Sequence, residues 1–310
     1  MSARDWVAVY LKGVAMGAAD AVPGVSGGTI ALITGIYDRL ISALAGLDPR
    51  EAWALLPFLA RVHQDDARSE LRAGLGVLDV PFLVVLGLGV VSAAVTVANI
   101  VEAARTTAPA LTYAFFFGLI AASVVVLWSE LDLSTQNRKF VALLGFALAF
   151  AVSGEASATL PTGLATMFVA GAIAICAMVL PGVSGSLLLL TLGQYHVVTG
   201  AVETATDAVL GGNLGNATDP VTTLAAFAAG AAVGIVSFAR VVAWALDTYR
   251  AATLTFLVML MAGALRAPAE VVIDETAAWT AETVLALLAV AAVGALAVVA
   301  LERATGDITY

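Results

Sequence analysis

A five-residue motif, Pro-Gly-Val-Ser-Gly, occurs twice in the sequence, at Pro23–Gly27 and again at Pro181–Gly185. We call these the first turn and the second turn. The proline ends a preceding helix, and the glycine after it tolerates positive φ and close backbone approach. A helix that starts after such a turn leaves its first N–H groups without helical partners, and its dipole favours negative charge there. The motif therefore predicts recognition of an anion, such as a phosphate or a carboxylate.

The expected phosphate ligands are N–H groups and hydroxyl groups at the end of each turn and just after it. They are Ser26, Gly27, Gly28, Thr29, Ser184, Gly185 and Ser186. The geometry of the turns is expected to depend on Pro23, Gly24, Pro181 and Gly182. Small residues also permit tight helix packing in membranes, and for one turn alone that interpretation competes with an anion site. The duplication of the motif favours the anion site.

Three charged residues lie inside or at the end of apolar segments: Lys12, Asp20 and Arg240. A cation at the bilayer centre costs at least ~2.5–3.5 kcal/mol, so Lys12 and Arg240 are expected to face a partner such as the bound phosphate. Arg240 can form paired hydrogen bonds with a phosphate, whereas Lys12 would act as a point charge. Snorkelling to the interface, or an ion pair of Lys12 with Asp20, is the structural alternative. Asp20 would either couple transport to a proton or sodium gradient or cap the first turn.

The composition argues against several other kinds of chemistry. Two distant histidines and the single Cys176 give no support to a metal cluster and exclude a disulfide within the chain. A net charge of −9 argues against a nucleic-acid partner. The turns lack the lysine of a nucleotide-binding P-loop, and no histidine follows their glycines as a lipid phosphatase would require. No cofactor is therefore expected, and an enzyme is the less favoured class.

The elements that position these residues are predicted to be membrane helices. Hydrophobic residues make up 61% of the chain and charged residues only 12%, too few to cover a soluble core. Residues 48–79 are predicted to include an amphipathic helix on the membrane surface. Segments 6–45 and 164–200 are each interrupted by a turn, so we expect two helical hairpins that are re-entrant. The apolar segments are 6–21, 22–45, 80–104, 109–128, 139–153, 164–180, 183–200, 221–246, 253–266 and 281–301.

The two turns belong to an internal repeat. They match at an offset of 158 residues, and at the same offset Gly35 aligns with Gly193. The later helices match at an offset of 141 residues. The difference of 17 residues corresponds to the amphipathic insertion in the first half. That weaker match is carried by these pairs: Gly89 with Gly230, Leu119 with Leu260, and Leu144 with Leu285.

Each repeat, over residues 1–153 and 164–301, is predicted to contain one hairpin and three spanning helices. A hairpin returns to the side it entered from, so each repeat crosses an odd number of times and the second must be inverted. Inverted repeats are typical of transporters with a site near the midplane. Basic residues favour the cytoplasmic side, and with both termini cytoplasmic only Arg105 and Arg266 fall outside. The basic residues of the inner loops and ends are Arg4, Arg39, Arg50, Arg61, Arg68, Arg72, Arg138, Lys139, Arg250 and Arg303.

The segments around both turns resemble the PopT polyprenyl-phosphate translocases, also known as domain-of-unknown-function family 368. The resemblance is carried by Lys12, 19–29 and 35–37 around the first turn, and by 180–186 and 193–195 around the second. It covers nearly the whole chain. It implies return of undecaprenyl phosphate, or of an archaeal dolichyl-type phosphate, from the outer to the inner leaflet of the plasma membrane. Transport of a small soluble anion is the alternative function, and the sequence leaves the oligomeric state open.

Overall fold

The computed structural model describes residues 2–20, 26–48, 64–96, 98–153, 160–161, 163–210 and 218–305, and its regular structure there is helical. Pro23 and Gly24 of the first turn lie outside these ranges. The helices of the first half are α1 Ala3–Asp20, α2 Gly27–Ile33, α3 Tyr37–Ala45, α4 Asp65–Val77, α5 Val80–Thr96, α6 Ala98–Thr107, α7 Pro109–Val126 and α8 Gln136–Val152. Those of the second half are α9 Leu164–Val179, α10 Gly185–Thr191, α11 Tyr195–Leu210, α12 Thr218–Ala264, α13 Arg266–Asp274 and α14 Ala281–Thr305.

Three stretches of the described chain are long and apolar enough to cross a membrane: Pro109–Glu130, Thr218–Asp274 and Ala281–Ala300. Three bent helix pairs raise this number to six if each pair forms one span. Tyr249 interrupts α12 with non-helical backbone (φ −133°, ψ 42°) and so separates the two apolar segments that the sequence predicts there. The fold is therefore all-helical, as predicted, with three to six candidate spans.

Each turn is followed by a short helix and then by a sharp bend. The angle is 117° between α2 and α3 and 107° between α10 and α11. Gly35 and Gly193 form the two bends with left-handed backbone, at φ +71° and +70°, which glycine adopts without steric cost. Their N–H groups donate to the carbonyls of Leu32 and Leu190, at 3.2 and 2.9 Å. The two bends are thus built in the same way at an offset of 158 residues.

The helix before each turn packs against a long helix that follows the hairpin, α1 against α5 and α9 against α12. Backbones approach so closely there that only glycine fits. A Cβ on any of four glycines would overlap a carbonyl oxygen of the facing helix: Gly13 on Leu86, Gly89 on Tyr10, Gly171 on Phe227 and Gly230 on Phe168. These contacts correspond at offsets of 158 before the turns and 141 after them, so the packing repeats along with the sequence.

The last helix of each half packs against the other half, α8 against the part of α12 after Tyr249 and α14 against α7. A Cβ on Gly145 would lie 2.6 Å from the oxygen of Phe256, and one on Gly294 would overlap the oxygen of Phe115. These contacts correspond when α8 and α14 are aligned at an offset of 149. The offset of 141 predicted for this last helix is therefore wrong, and the two halves are interleaved.

The insertion of the first half contains α4, and residues 49–63 of it lie outside the described ranges. The helix bends by 70° into α5. Asp79, at this bend, accepts two hydrogen bonds from Arg39 of α3, at 2.7 and 2.8 Å. The Arg39 guanidinium also lies over the ring of Phe82, 4.2 Å from its centroid. The insertion is thus anchored to the hairpin by an ion pair and a cation–π contact.

Two glycines of α5 allow the effect of helix packing on stability to be measured separately from the effect of helix propensity. We expect Gly89→Ala to lower the free energy of unfolding by about 1–3 kcal/mol, because its Cβ would overlap the Tyr10 carbonyl of α1. Gly87→Ala is the matched control, because a Cβ there meets nothing within 4 Å, and alanine favours a helix over glycine. Unfolding of the detergent-solubilised protein would be followed by circular dichroism. Equal stability of the two variants would contradict the packing described above.

Candidate functional site

The described end of the first turn lies directly against the second turn. The Ser26 hydroxyl, at the start of α2, donates to the carbonyl of Leu180 at 2.9 Å. The Thr29 hydroxyl accepts a hydrogen bond of 3.1 Å from the N–H of Gly182. A Cβ on Gly28 would lie 2.7 Å from the carbonyl oxygen of Val179. Ser26 and Thr29 are each 1% exposed, so residues from both halves meet at a buried polar point.

The second turn requires glycine at its second position. Gly182 has φ +81°, and a Cβ there would lie 2.7 Å from the Cα of Met261 on α12. After the turn, Ser184 caps α10 by accepting a hydrogen bond of 3.3 Å from the N–H of Leu187. Its hydroxyl also lies 2.9 Å from that of Ser186. The second turn thus presents two adjacent hydroxyl groups at the start of a short helix.

A carboxylate already occupies the start of α2 at the first turn. Asp20 Oδ1 accepts a hydrogen bond of 2.7 Å from the N–H of Gly27, and the Ser26 hydroxyl accepts one of 3.1 Å from Gly28. Asp20 therefore caps the helix, one of the two roles that the sequence allows for it. A bound anion would have to displace this carboxylate to reach the Gly27 donor.

The two turns differ at the position of Asp20. Its counterpart at an offset of 158 is Met178, and a Cβ on Gly185 would lie 2.5 Å from the Met178 Cγ. An apolar side chain thus covers the start of α10 where a carboxylate covers the start of α2. The second turn has no carboxylate of its own at this point, so its donors face less competition for an anion.

Lys12 lies at the opposite end of α2 from the first turn. Its ammonium group donates to the carbonyl of Thr34 at 2.9 Å, and the residue is 1% exposed. Thr34 is eight residues after Ser26, roughly 12 Å along a helix. In the second half the Gln194 amide donates to Leu192, which corresponds to Thr34, at 3.2 Å. Lys12 and Gln194 therefore donate to equivalent carbonyls at the two bends.

Gln194 was missed by the sequence reasoning, although it stands inside the repeated bend between Gly193 and Tyr195. It is 1% exposed, and its amide nitrogen also donates to the carbonyl of Leu160 at 2.9 Å. Its side-chain oxygen is buried without a hydrogen-bond partner. A polar residue within a repeated apolar motif is the signal that could have identified it.

Arg240 binds the carbonyl end of α3, and both short helices of the hairpin lie between Ser26 and that end in the sequence. Its guanidinium donates to the carbonyls of Ala45 and Leu47, at 3.2 and 3.1 Å, and it is exposed. A cation at the carbonyl end of a helix is favoured by the helix dipole. The hydrogen bonds described here for Lys12 and Arg240 thus go to carbonyls away from the turns.

An ion pair lies at the other end of α3. Arg250, next to the break in α12, donates to the carboxylate of Asp38 at 2.6 Å. Arg240 and Arg250 both belong to α12, so this helix contacts α3 at both of its ends. The pair joins residues 212 positions apart, so no local pattern in the sequence could have predicted it.

Within the described ranges, no group of three or more potential metal-binding side chains is found.

A family model described as VCA0040-like, undecaprenyl phosphate translocase-like, matches residues 16–285 of the chain. The chain belongs to this translocase-like family. The predicted resemblance is therefore confirmed, and so are its two broad consequences, that the protein is a transporter and that it is a multi-pass membrane protein.

Two relatives of this translocase-like chain carry the same functional name. The polyprenyl-phosphate transporter of Vibrio cholerae is 36% identical over 261 residues, which cover 84% of this chain and 77% of the relative. The polyprenyl-phosphate transporter of Staphylococcus aureus is 28% identical over 214 residues, covering 65% of this chain and 67% of the relative. No solved structure is significantly similar to the chain.

Two glycines with positive φ allow the cost of backbone strain to be measured separately from the cost of steric overlap. Gly35→Ala is expected to lower the free energy of unfolding by about 1–2 kcal/mol, because a left-handed alanine is strained but its Cβ meets nothing within 4 Å. Gly182→Ala is expected to lose about 1–3 kcal/mol more, because its Cβ would also press on Met261. Denaturant unfolding in detergent would measure both, and a Gly182 variant no less stable than the Gly35 variant would refute the close contact.

Proposed function

We propose that the protein is a polyprenyl-phosphate flippase that returns the lipid carrier from the outer to the inner leaflet, with its phosphate bound between the two turns. The carrier is undecaprenyl phosphate or an archaeal dolichyl-type phosphate. The family and the names of both relatives support the substrate class. The observation that carries the location is the buried contact of Ser26 and Thr29 with the second turn. It gathers hydroxyl and N–H groups of both halves at one point.

A phosphate head group has to exchange its water for protein donors before it can cross the apolar core, because an unpaired charge there is very unfavourable. The second turn offers the Ser184 and Ser186 hydroxyls and the first N–H groups of α10. The first turn offers Thr29 and the donors at Gly27 and Gly28. Charge-assisted hydrogen bonds of this kind are about twice as strong as neutral ones.

Asp20 makes the order of events specific. Its carboxylate holds the Gly27 donor, so we infer that the phosphate first binds the second turn and then displaces Asp20. A displaced carboxylate beside a phosphate would be repelled unless it took up a cation, and protonation is the simplest way to neutralise it. This coupling would link lipid movement to a proton gradient, with sodium as the alternative ion.

The two predicted cations have different places in this proposal. Lys12 lies one short helix away from the turn and would attract the phosphate through the apolar interior, where charges are weakly screened. Arg240 would reach the phosphate only after releasing the carbonyls of Ala45 and Leu47. In the present arrangement we therefore assign Arg240 to holding α3, and a direct contact with phosphate would belong to another conformation.

The halves are proposed to be inverted repeats, with both termini cytoplasmic and the turns meeting near the midplane. The matching bends at Gly35 and Gly193 and the matching glycine contacts support two equivalent halves. The bias of basic residues toward one set of loops supports the orientation. Rocking of the halves would expose the turns to each leaflet in turn, and the break at Tyr249 offers a hinge.

The hydroxyl pair of the second turn provides the decisive test. We expect the double variant Ser184→Ala, Ser186→Ala to flip fluorescent undecaprenyl phosphate in liposomes at least ~10-fold more slowly, since each lost bond to a charged group is worth about 1.5–3 kcal/mol. Ser92→Ala is the control, because that hydroxyl lies outside the turns and donates to the Leu88 carbonyl within its own helix α5. Wild-type rates in the double variant would refute the site. Transport of inorganic phosphate without lipid would favour the small-anion alternative, and release of phosphate from the lipid would establish an enzyme.

Asp20→Asn tests the coupling. Asparagine keeps an oxygen for the Gly27 N–H but cannot exchange a proton near neutral pH. We expect flipping by this variant to lose its response to an imposed pH gradient. Flip rates would be compared in liposomes with pH, sodium or no gradient, and Asp274→Asn, at an exposed helix end, is the control. An unchanged pH response in Asp20→Asn would remove this residue from the coupling mechanism.

A further inference from the structure

An apolar groove of about 340 Å³ opens beside the first turn. It lies between the α1–α2 hairpin on one side and α6, α7 and α14 on the other. Ala15 and Ala19 of α1, Ile30 and Ile33 of α2, and Phe115 of α7 are among its walls. All of its lining side chains are apolar, and its volume is within the ~300–1,000 Å³ typical of pockets that bind small molecules.

The groove starts next to the proposed phosphate site on both helices of the hairpin. Ala19 immediately precedes Asp20, whose carboxylate binds the Gly27 N–H at 2.7 Å. Ile30 immediately follows Thr29, whose hydroxyl accepts the Gly182 N–H at 3.1 Å. The groove wall is therefore one residue away from the proposed phosphate site on each of these two helices.

The groove is lined by helices of the first half and by α14 of the second half. Ala15 corresponds to Ile173 at an offset of 158, and Ala297, at the groove edge on α14, corresponds to Leu148 at 149. At the equivalent positions around the second turn, larger side chains therefore replace these two alanines.

We propose that this groove holds the first isoprene units of the lipid carrier while its phosphate is at the turns. The proposal rests on the function proposed above. Bilayer lipid is as apolar as the groove, so burial alone adds little affinity here. What the groove adds is shape: its alanines leave room for branching methyl groups, and Phe115 and its neighbour Phe116 pack along the chain. The groove therefore selects isoprenoid chains over straight alkyl chains and directs the tail away from the second turn.

The test uses the full chain in liposomes and a polyprenyl phosphate with a photoreactive diazirine in its first two isoprene units. We expect crosslinks to the peptides that contain Ala15–Ala19, Ile30–Ile33 and Phe115. Ala297→Phe, which fills the groove from its open edge, should reduce this labelling at least ~10-fold, because the ring would occupy the space that the isoprene units need. The matched control is Ala147→Phe, an exposed alanine of α8 outside the groove.

A second variant keeps the test independent of folding defects. Ile33→Ala widens the groove, and we expect it to retain labelling there and to lose the preference for isoprenoid over straight-chain alkyl phosphate of equal length. Labelling outside the groove, equal labelling of the Ala297 and Ala147 variants, or an Ile33 variant with undiminished preference would overturn the proposal. So would equal labelling by a photoreactive phospholipid that prenyl phosphate fails to displace, because the groove would then hold ordinary bilayer lipid.

The outcomes also distinguish the groove from the flippase proposal itself. If the Ser184, Ser186 variant flips lipid at the wild-type rate while the groove is still labelled, the phosphate site fails and the tail site stands. If that variant is slow but the label reacts elsewhere, the tail site fails and the phosphate site stands.

Discussion

The contact between the two turns is the constraint on which the rest of the structure depends. The Ser26 hydroxyl reaches the Leu180 carbonyl, and the Gly182 N–H reaches the Thr29 hydroxyl. Groups like these are unfavourable in an apolar bundle unless each finds a partner. Turns that interrupt helices inside a membrane protein can persist only where protein surrounds them. Each turn here supplies part of the other's environment, so neither half could form this point alone.

The halves share a plan but differ where charge is concerned. Asp20 corresponds to Met178 in the second half, and Lys12 donates at one bend to the carbonyl whose equivalent at the other bend accepts from Gln194. By sequence, Arg240 corresponds to Asn99. If a phosphate binds between the turns as proposed, it would compete with a carboxylate at the first turn and not at the second. A symmetric pair of turns would bind a phosphate equally from either half and would not by itself favour one route.

Interleaving limits how the halves can move. Because α8 packs on α12 and α14 packs on α7 through glycines that touch a backbone, simple separation of the halves would disrupt both crossings. Motion is easier to accommodate at defined breaks, such as Tyr249 and the bends at Gly35 and Gly193. α12 also contacts α3 at both ends, so a change in the backbone angle at Tyr249 would alter the contacts that hold α3 in the first hairpin.

The helical membrane class, the positions of the two turns and the family could be predicted from the sequence, because hydropathy and a repeated glycine motif are local properties. The sequence also identified Ser26, Thr29 and Gly182 as residues of the turns. Helix packing was needed to show that Asp20 caps α2, that Lys12 and Arg240 bind carbonyls, and that the glycine contacts of the last helices correspond at 149 rather than 141. A buried charge is recognisable in a sequence by its cost, but its partner is chosen by helices that pack together from distant parts of the chain.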